Sequence, residues 1–298
     1  MRFNLYKDIG AFHRDTCELL LRHEAQNLIP LGNIILGNEG RDKTEWRDPA
    51  AWFMGTVSDD SAGTAAGINA DGIRLTAIMT PPYNLTLYAT DNRVDEEAIA
   101  CLIDGLGSTP FIVPGVMSET SLARNFASAY ARSRKLNFSV TMNQRIYELT
   151  EVNPDIPVAG NLRLARESDM SFLPYWIEGF SADCFGKPGL VSPCPESYLH
   201  KISQNALYIL EDSGTPVSMS MIVREMKAVC GVSEVYTPPY FRKKGYASSC
   251  VAGVSKLILE RGYRSCALYT DLANPVSNSI YQKIGYKPIC DSVQIEFK

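Results

Sequence analysis

The segment from Thr237 to Ser248 combines residue types that could bind an anion. A strand pattern ends at Thr237, two prolines stop further pairing, three consecutive cations follow, and Gly245 and Ala247 open a long amphipathic helix. Free N–H groups at a helix start attract anions, and small residues let a phosphate approach the backbone. The segment therefore predicts a polyphosphate site, although strand-to-helix turns also carry glycine and lysine for conformation and solubility alone.

The elements around this segment predict one mixed sheet flanked by helices, an α+β or α/β class. The turn at 212–216 between two apolar runs predicts a hairpin, and apolar periodicity gives the remaining elements. The predicted strands are 162–164, 206–210, 217–223, 228–237, 266–270 and 293–297, and the predicted helices are 172–180, 196–203, 246–261 and 276–284.

Two motifs in this half resemble those of the GCN5-related N-acetyltransferase (GNAT) superfamily. Arg242, Gly245 and Ala247 match its Arg/Gln-x-x-Gly-x-Gly/Ala turn, and the run from Asn274 to Tyr286 is similar to its Asn-x(6)-Tyr-x(3)-Gly-Phe/Tyr ending. The resemblance covers residues 160–298 and is strongest over 234–291. It implies a GNAT fold, acetyl-CoA or coenzyme A as cosubstrate, and direct attack by a primary amine in a ternary complex.

The resemblance also implies which residues hold the cosubstrate. The pantetheine arm would pair with the strand end like an added strand, the pyrophosphate would lie on the turn, and Asn274 and Ser277 would face the arm. Asn274 before Pro275 is equally an ordinary helix N-cap. The complete predicted set is Val235, Tyr236, Thr237, Arg242, Lys243, Lys244, Gly245, Tyr246, Ala247, Ser248, Asn274 and Ser277.

Glu234 and Tyr281 are the candidate catalytic residues. Glu234 is the one carboxylate in an apolar strand, where burial would raise its pKa toward that of a general base, or it pairs structurally with Lys243 or Lys244. Tyr281 matches the tyrosine with which the superfamily protonates the departing thiolate, or it is a core tyrosine.

The sequence 153–160 has two prolines and a glycine and predicts a linker between domain 1–152 and domain 161–298. The first half has a similar order of predicted elements, with strands at 85–89, 111–113 and 138–142 and helices at 98–106 and 122–130. We therefore predict two tandem GNAT-like domains.

The N-terminal copy is predicted to be degenerate and to lack a cofactor site. Before its helix 98–106 the sequence has four carboxylates, Asp91, Asp95, Glu96 and Glu97, and no glycine. These charges would repel a pyrophosphate, so one CoA per chain is expected.

Composition sets broader limits. The 298 residues carry a net charge of −4, divided into −6 for residues 1–159 and +2 for 160–298, which argues against a general nucleic-acid binder. Eight scattered cysteines without a CxxC pair disfavour a metal site and a disulfide framework. No signal peptide or long apolar run is found, so a cytoplasmic protein without membrane contact is expected.

The leading hypothesis is an N-acetyltransferase acting on a small-molecule or peptide amine. The alternative is a CoA-binding regulatory or partner-binding protein that keeps a residual transferase fold. A homodimer remains open.

Overall fold

A computed structural model describes residues 1–40, 48–64, 67–90, 93–186 and 195–298. The chain forms two compact units, Met1–Ile146 with Cys290–Lys298, and Tyr147–Ile289.

Unit 1 has a sheet of strand order β1-β2-β5-β6-β7-β14, and β3 and β4 form a separate two-stranded ribbon. Its β6–β7 pair is parallel, and β1–β2, β2–β5, β5–β6 and β7–β14 are antiparallel. The elements are β1 (Arg2–Tyr6), α1 (Ile9–Leu21), α2 (Leu28–Glu39), β2 (Phe53–Ser58), β3 (Gly63–Thr64), β4 (Gly67–Ile68), β5 (Ile73–Met79), β6 (Leu85–Ala89), α3 (Glu96–Gly107), β7 (Gly115–Glu119), α4 (Thr120–Arg134) and β8 (Phe138–Leu149), with β14 (Lys287–Phe297) from the chain end.

Unit 2 has the strand order β8-β13-β12-β11-β10-β9. Side chains of β10 alternate between the two faces: Tyr208 packs with α7, whereas Leu207 and Ile209 pack with α5 and α6. Helices therefore cover both faces of this sheet. The elements are β9 (Asn161–Leu164), α5 (Leu173–Phe185), α6 (Pro195–Ser203), β10 (Leu207–Asp212), β11 (Thr215–Val223), β12 (Val229–Tyr236), α7 (Tyr246–Glu260), β13 (Ser265–Asp271) and α8 (Pro275–Ile284).

The two units follow the same order of main elements. In each, a strand and two helices precede three antiparallel strands, after which a helix crosses over to a parallel strand that a further helix follows. This repeat supports the tandem organisation expected from the sequence.

The division between the units differs from the predicted linker at 153–160. Tyr147 and Leu149, at the end of β8, are fully buried in the core of unit 2, whereas Val293 and Ile295 of β14 are fully buried in the core of unit 1. Each unit thus takes a core strand from outside its own half of the sequence, a feature that local periodicity cannot reveal.

One predicted strand is wrong. Residues 111–113 are not a strand, and β7 begins at Gly115 instead. Pro114 has no N–H to donate, which is why regular pairing starts only after it. Val113 is nevertheless buried in the core, as its apolar character required.

Three further findings concern membrane-spanning helices, metal sites and cysteines. None of the described helices is long and apolar enough to span a membrane. The described part of the chain contains no cluster of three or more acidic, cysteine or histidine side chains that could hold a metal. The seven described cysteines are free thiols, and Cys194 lies outside the described residues.

We expect Ile295→Ala to destabilise unit 1. Its side chain is fully buried, and removing it leaves a cavity that costs about 2–5 kcal/mol of unfolding free energy. Ile289→Ala, at an exposed position of the same strand, is the matched control. Chemical denaturation measures both, and equal effects would contradict the placement of 290–298 in the core of unit 1.

Candidate functional site

β12 has an edge that its parallel neighbour leaves unpaired. The two strands are paired only at Val229↔Ser265, Cys230↔Cys266 and Gly231↔Ala267. β12 then continues to Tyr236 and β13 to Asp271 without further pairing between them in the described chain. Residues 232–236 therefore offer backbone groups to an extended ligand, in the way that a sheet edge accepts an added strand.

A β-bulge changes the direction of side chains on the same stretch of β12. Ser233 pairs with Met221 and Tyr236 with Met219, so Glu234 and Val235 together lie opposite one residue of β11. Glu234 has the left-handed φ of 49° that marks the extra residue.

The bulge decides which way Glu234 points. Cys230 and Val232 face α7, and strict alternation would turn Glu234 to the same side. Because of the extra residue, Val235 takes the α7 side and Glu234 reaches Tyr198 of α6 on the opposite face.

The Glu234 carboxyl is buried and incompletely hydrogen-bonded. Burial raises its pKa to about 7, and the positive charge of Lys201 and the Tyr198 hydroxyl lower the pKa by smaller amounts. Its Oε2 atom is inaccessible and has no hydrogen-bond partner. The partners are therefore on α6, and Lys243 and Lys244, the alternative from the sequence, do not contribute. Such a carboxyl can accept a proton near neutral pH.

The turn after β12 presents backbone donors and cations. Lys243 and Gly245 have left-handed φ values of 64° and 83°, and Gly245 precedes α7 without any side-chain cap. Within the described residues no acceptor is found for the N–H groups of 243–248. The Lys243 and Lys244 side chains are exposed. Uncapped N–H groups at the start of a 15-residue helix, next to two cations, form an anion site.

Arg242 makes contacts within the protein. Its Nε donates to the Thr237 carbonyl at 2.8 Å, its Nη2 bonds to Asp183 of α5, and its guanidinium lies 5.7 Å from the centre of the Tyr236 ring. Its backbone N–H donates to Pro239. Arg242 therefore stabilises the turn, and the N–H groups without an acceptor are those of the six residues that follow it, while a contact of Arg242 to a cosubstrate stays a prediction.

Three further residues of the predicted set, Tyr246, Asn274 and Ser277, make hydrogen bonds that stabilise the fold. The Tyr246 hydroxyl donates to Asp212, so Tyr246 offers only its backbone to the anion site. The Asn274 side chain accepts from the backbone N–H of Ser277 at 3.1 Å and caps α8. The N-cap interpretation of Asn274 is thus realised, while any contact to a cosubstrate stays a prediction.

Tyr281 is buried on α8. Its ring lies 6.3 Å from that of Tyr147 and 5.9 Å from that of Tyr286. Burial, with a smaller contribution from the Cys184 thiol of α5, raises the pKa of its hydroxyl well above the ordinary value. The hydroxyl is therefore protonated at neutral pH, as a proton donor must be. The described contacts do not join Tyr281 to Glu234 directly.

Unit 1 has the same short parallel pairing, at Leu85↔Val116 and Thr86↔Met117, but lacks the bulge at the equivalent place. Strand β6 pairs with β5 in unbroken register, without a bulge. Beyond its last pair with β7, the Ser118 hydroxyl donates to the Leu87 carbonyl at 2.8 Å and bridges the two strands.

The start of α3 also differs from the start of α7. Asp95 caps α3 by accepting from Ala98 N–H at 3.0 Å, and Glu96 and Glu97 occupy its first turn. Asp91, the fourth carboxylate of the predicted acidic set, lies outside the described residues.

Sequence reasoning proposed the turn and Glu234 as site residues but did not predict the contacts from α6. Tyr198 and Ile202 are four residues apart, which indicates one buried helix face and was the only available signal. Nothing local indicates that Tyr198 meets a carboxylate from a strand 36 residues later.

Comparison with known proteins gives matches to a family model and to solved structures. Residues 219–295 match the model of the FR47-like protein family. A Drosophila protein of known structure is similar over 99% of this chain and 98% of its own, with a TM-score of 0.66 and 12% identity. No curated protein sequence matches this chain.

Two further structures share the fold over nearly their whole length. A GCN5-related N-acetyltransferase from Sphaerobacter thermophilus is 13% identical, with a TM-score of 0.58 over 100% of this chain and 95% of that one. A GNAT-family acetyltransferase from Colwellia psychrerythraea is 12% identical, with a TM-score of 0.57 and complete coverage of both chains.

We expect Glu234→Gln to change how stability depends on pH. The folded-state pKa of about 7 lies above the ordinary 4.5, so native stability falls as pH rises between these values. The variant lacks this loss, and its unfolding free energy relative to the native protein should increase by about 3 kcal/mol between pH 4 and pH 8. The measurement is urea denaturation across this range with Glu151→Gln, at an exposed site, as the control. Parallel curves for native protein and Glu234→Gln would contradict the buried carboxyl.

Proposed function

We propose that this chain, which has the GNAT fold that its motifs predicted, is an acyltransferase that moves acetyl from acetyl-CoA to a primary amine. The observation that carries the proposal is the bulged, unpaired end of β12, which combines an open backbone edge with a buried carboxyl. The acceptor is proposed to be the amine of a small molecule or peptide.

Donor binding follows from the open edge and the turn. The amide groups of a pantetheine arm can pair with the backbone of Val235, Tyr236 and Thr237, and this pairing gives affinity along the strand. A pyrophosphate matches the N–H groups of 243–248 in charge and position, with Lys243 and Lys244 as additional cations. The thioester would then lie toward the bulge.

The proposed reaction forms one bond and breaks one. The amine nitrogen attacks the thioester carbon, the C–S bond breaks, and the amide and free thiol are the products. N–H groups at the end of β12 would stabilise the negative charge on the carbonyl oxygen during the attack.

Two protons move in this reaction. An amine with its ordinary pKa of about 10 is protonated at pH 7, so a proton has to be removed, directly or through water. The Glu234 carboxylate accepts it. Tyr281, whose hydroxyl pKa is raised, donates a proton to the thiolate as it leaves.

The arrangement favours an enzyme over a regulatory CoA-binding protein. Binding alone requires the open edge and the anion site. It does not require a buried, partly unsatisfied carboxyl, which costs stability above its pKa. Active sites typically contain ionisable groups that lower the stability of the folded protein in this way.

Thiol release from acetyl-CoA should be stimulated by at least one class in a panel of amines, amino acids, polyamines, aminoglycosides and peptides. With that acceptor, Tyr281→Phe should lower kcat about 100-fold because the thiolate loses its proton donor, while acetyl-CoA binding is kept. Tyr286→Phe, which removes another buried hydroxyl, is the control and should stay near native.

Undiminished turnover by Tyr281→Phe would refute the acid assignment. Binding of acetyl-CoA without transfer to any amine of the panel would favour the regulatory alternative.

A further inference from the structure

Helix α6 places two side chains against the Glu234 carboxyl. Tyr198 and Lys201 are three residues apart and therefore lie on one face of α6. Tyr198 is 4% exposed and packs in the core between α5, α6 and the sheet. Its hydroxyl is within hydrogen-bonding reach of Glu234, and the charge of Lys201 acts on the same carboxylate.

The two carboxylate oxygens are in different situations. Oε2 is inaccessible and has no hydrogen-bond partner, whereas Oε1 is not among the buried polar atoms left without one. A buried oxygen without a partner is uncommon in proteins and indicates a place for a ligand or water. A carboxyl fixed through one oxygen keeps the other oriented.

Tyr198 can only act as the donor in this contact. Burial, aided by the nearby carboxylate, raises the pKa of its hydroxyl well above the ordinary value, so it remains protonated. Tyr198 and Lys201 are the ionisable groups of the described chain that act on Glu234. Both come from α6, and none of α5, α7, β11 and β13, which pack against β12, adds one within the described residues.

We propose that Tyr198 is a positioning residue for acetyl transfer: its hydroxyl holds the Glu234 carboxyl in the orientation in which it accepts a proton, and Lys201 adjusts the basicity of that carboxylate. This inference rests on the proposed function. Both residues precede the segment 219–295 that matches the family model.

Tyr198→Phe tests the proposal because it keeps the packed ring and removes only the hydroxyl. We expect kcat to fall about tenfold with the KM for acetyl-CoA unchanged, since the base is misoriented but the donor site is intact. The acid limb of the kcat profile should move up by about one pH unit, because the lost hydrogen bond stabilised the charged form. The control is Tyr263→Phe, whose hydroxyl donates to Glu225 at 3.2 Å outside the site.

Lys201→Met tests the basicity of the Glu234 carboxyl separately from its orientation. Lys201 lowers the pKa of Glu234 more than Tyr198 does, so this variant should move the acid limb at least as far upward. Its kcat at high pH should stay within about threefold of native, because the hydrogen bond that orients the carboxyl remains. Lys201→Arg should restore the native profile.

A readout independent of activity distinguishes failure of this inference from failure of the proposed function. The measurement is the difference in unfolding free energy between a protein with Glu234 and the same protein with Glu234→Gln, followed across pH. When both proteins also carry Tyr198→Phe, the midpoint of this pH dependence should lie at higher pH than when both keep Tyr198. If transfer occurs but Tyr198→Phe leaves kcat and both midpoints at native values, the positioning role is overturned. If the stability midpoint moves but no amine is acetylated by the native protein, the proposed function fails, and the positioning role fails with it.

Discussion

Strands β12 and β13 are hydrogen-bonded over only three residue pairs, and β12 then runs on for five residues beside an unpaired edge. An unpaired edge inside a sheet costs backbone hydrogen bonds unless a ligand or water supplies them. The bulge at Glu234 lies on this free stretch and turns one carboxylate toward α6 while Val235 stays in the core facing α7. One local departure from regular pairing therefore creates both the open backbone edge and the surroundings of the Glu234 carboxyl, on which the proposed function rests.

Unit 1 has the same topology without the bulge. Its β6 is regular, the Ser118 hydroxyl bridges it to β7, and α3 starts with carboxylates where α7 starts with uncapped N–H groups. The fold alone does not make a site, since function depends on the particular groups placed on it. Two units with the same order of elements and the same short parallel pairing thus differ at the bulge and at the start of the crossover helix.

Local patterns in the sequence predicted much of unit 2 because its elements are short, strongly periodic and bounded by turn residues. The hairpin, α7 and α8 have the periodicity and caps that the sequence indicated. Patterns were insufficient where a residue depends on distant partners. The bulge adds a residue that no alternation reveals, Arg242 is held by Asp183 from 59 residues away, and β14 completes a core formed by the other half of the chain. Residues 2–39, whose second helix is apolar on all sides, gave no clear prediction.

The central claim is that donor binding belongs to unit 2 alone and depends on the start of α7. Calorimetric titration with acetyl-CoA tests it directly, using the native chain, the double variant Lys243→Glu/Lys244→Glu, and Lys256→Glu, the same substitution at one lysine within α7. We predict one molecule bound per chain, affinity reduced at least tenfold in the double variant, and affinity close to native for Lys256→Glu. Two molecules per chain, or one bound equally well by the double variant, would contradict it.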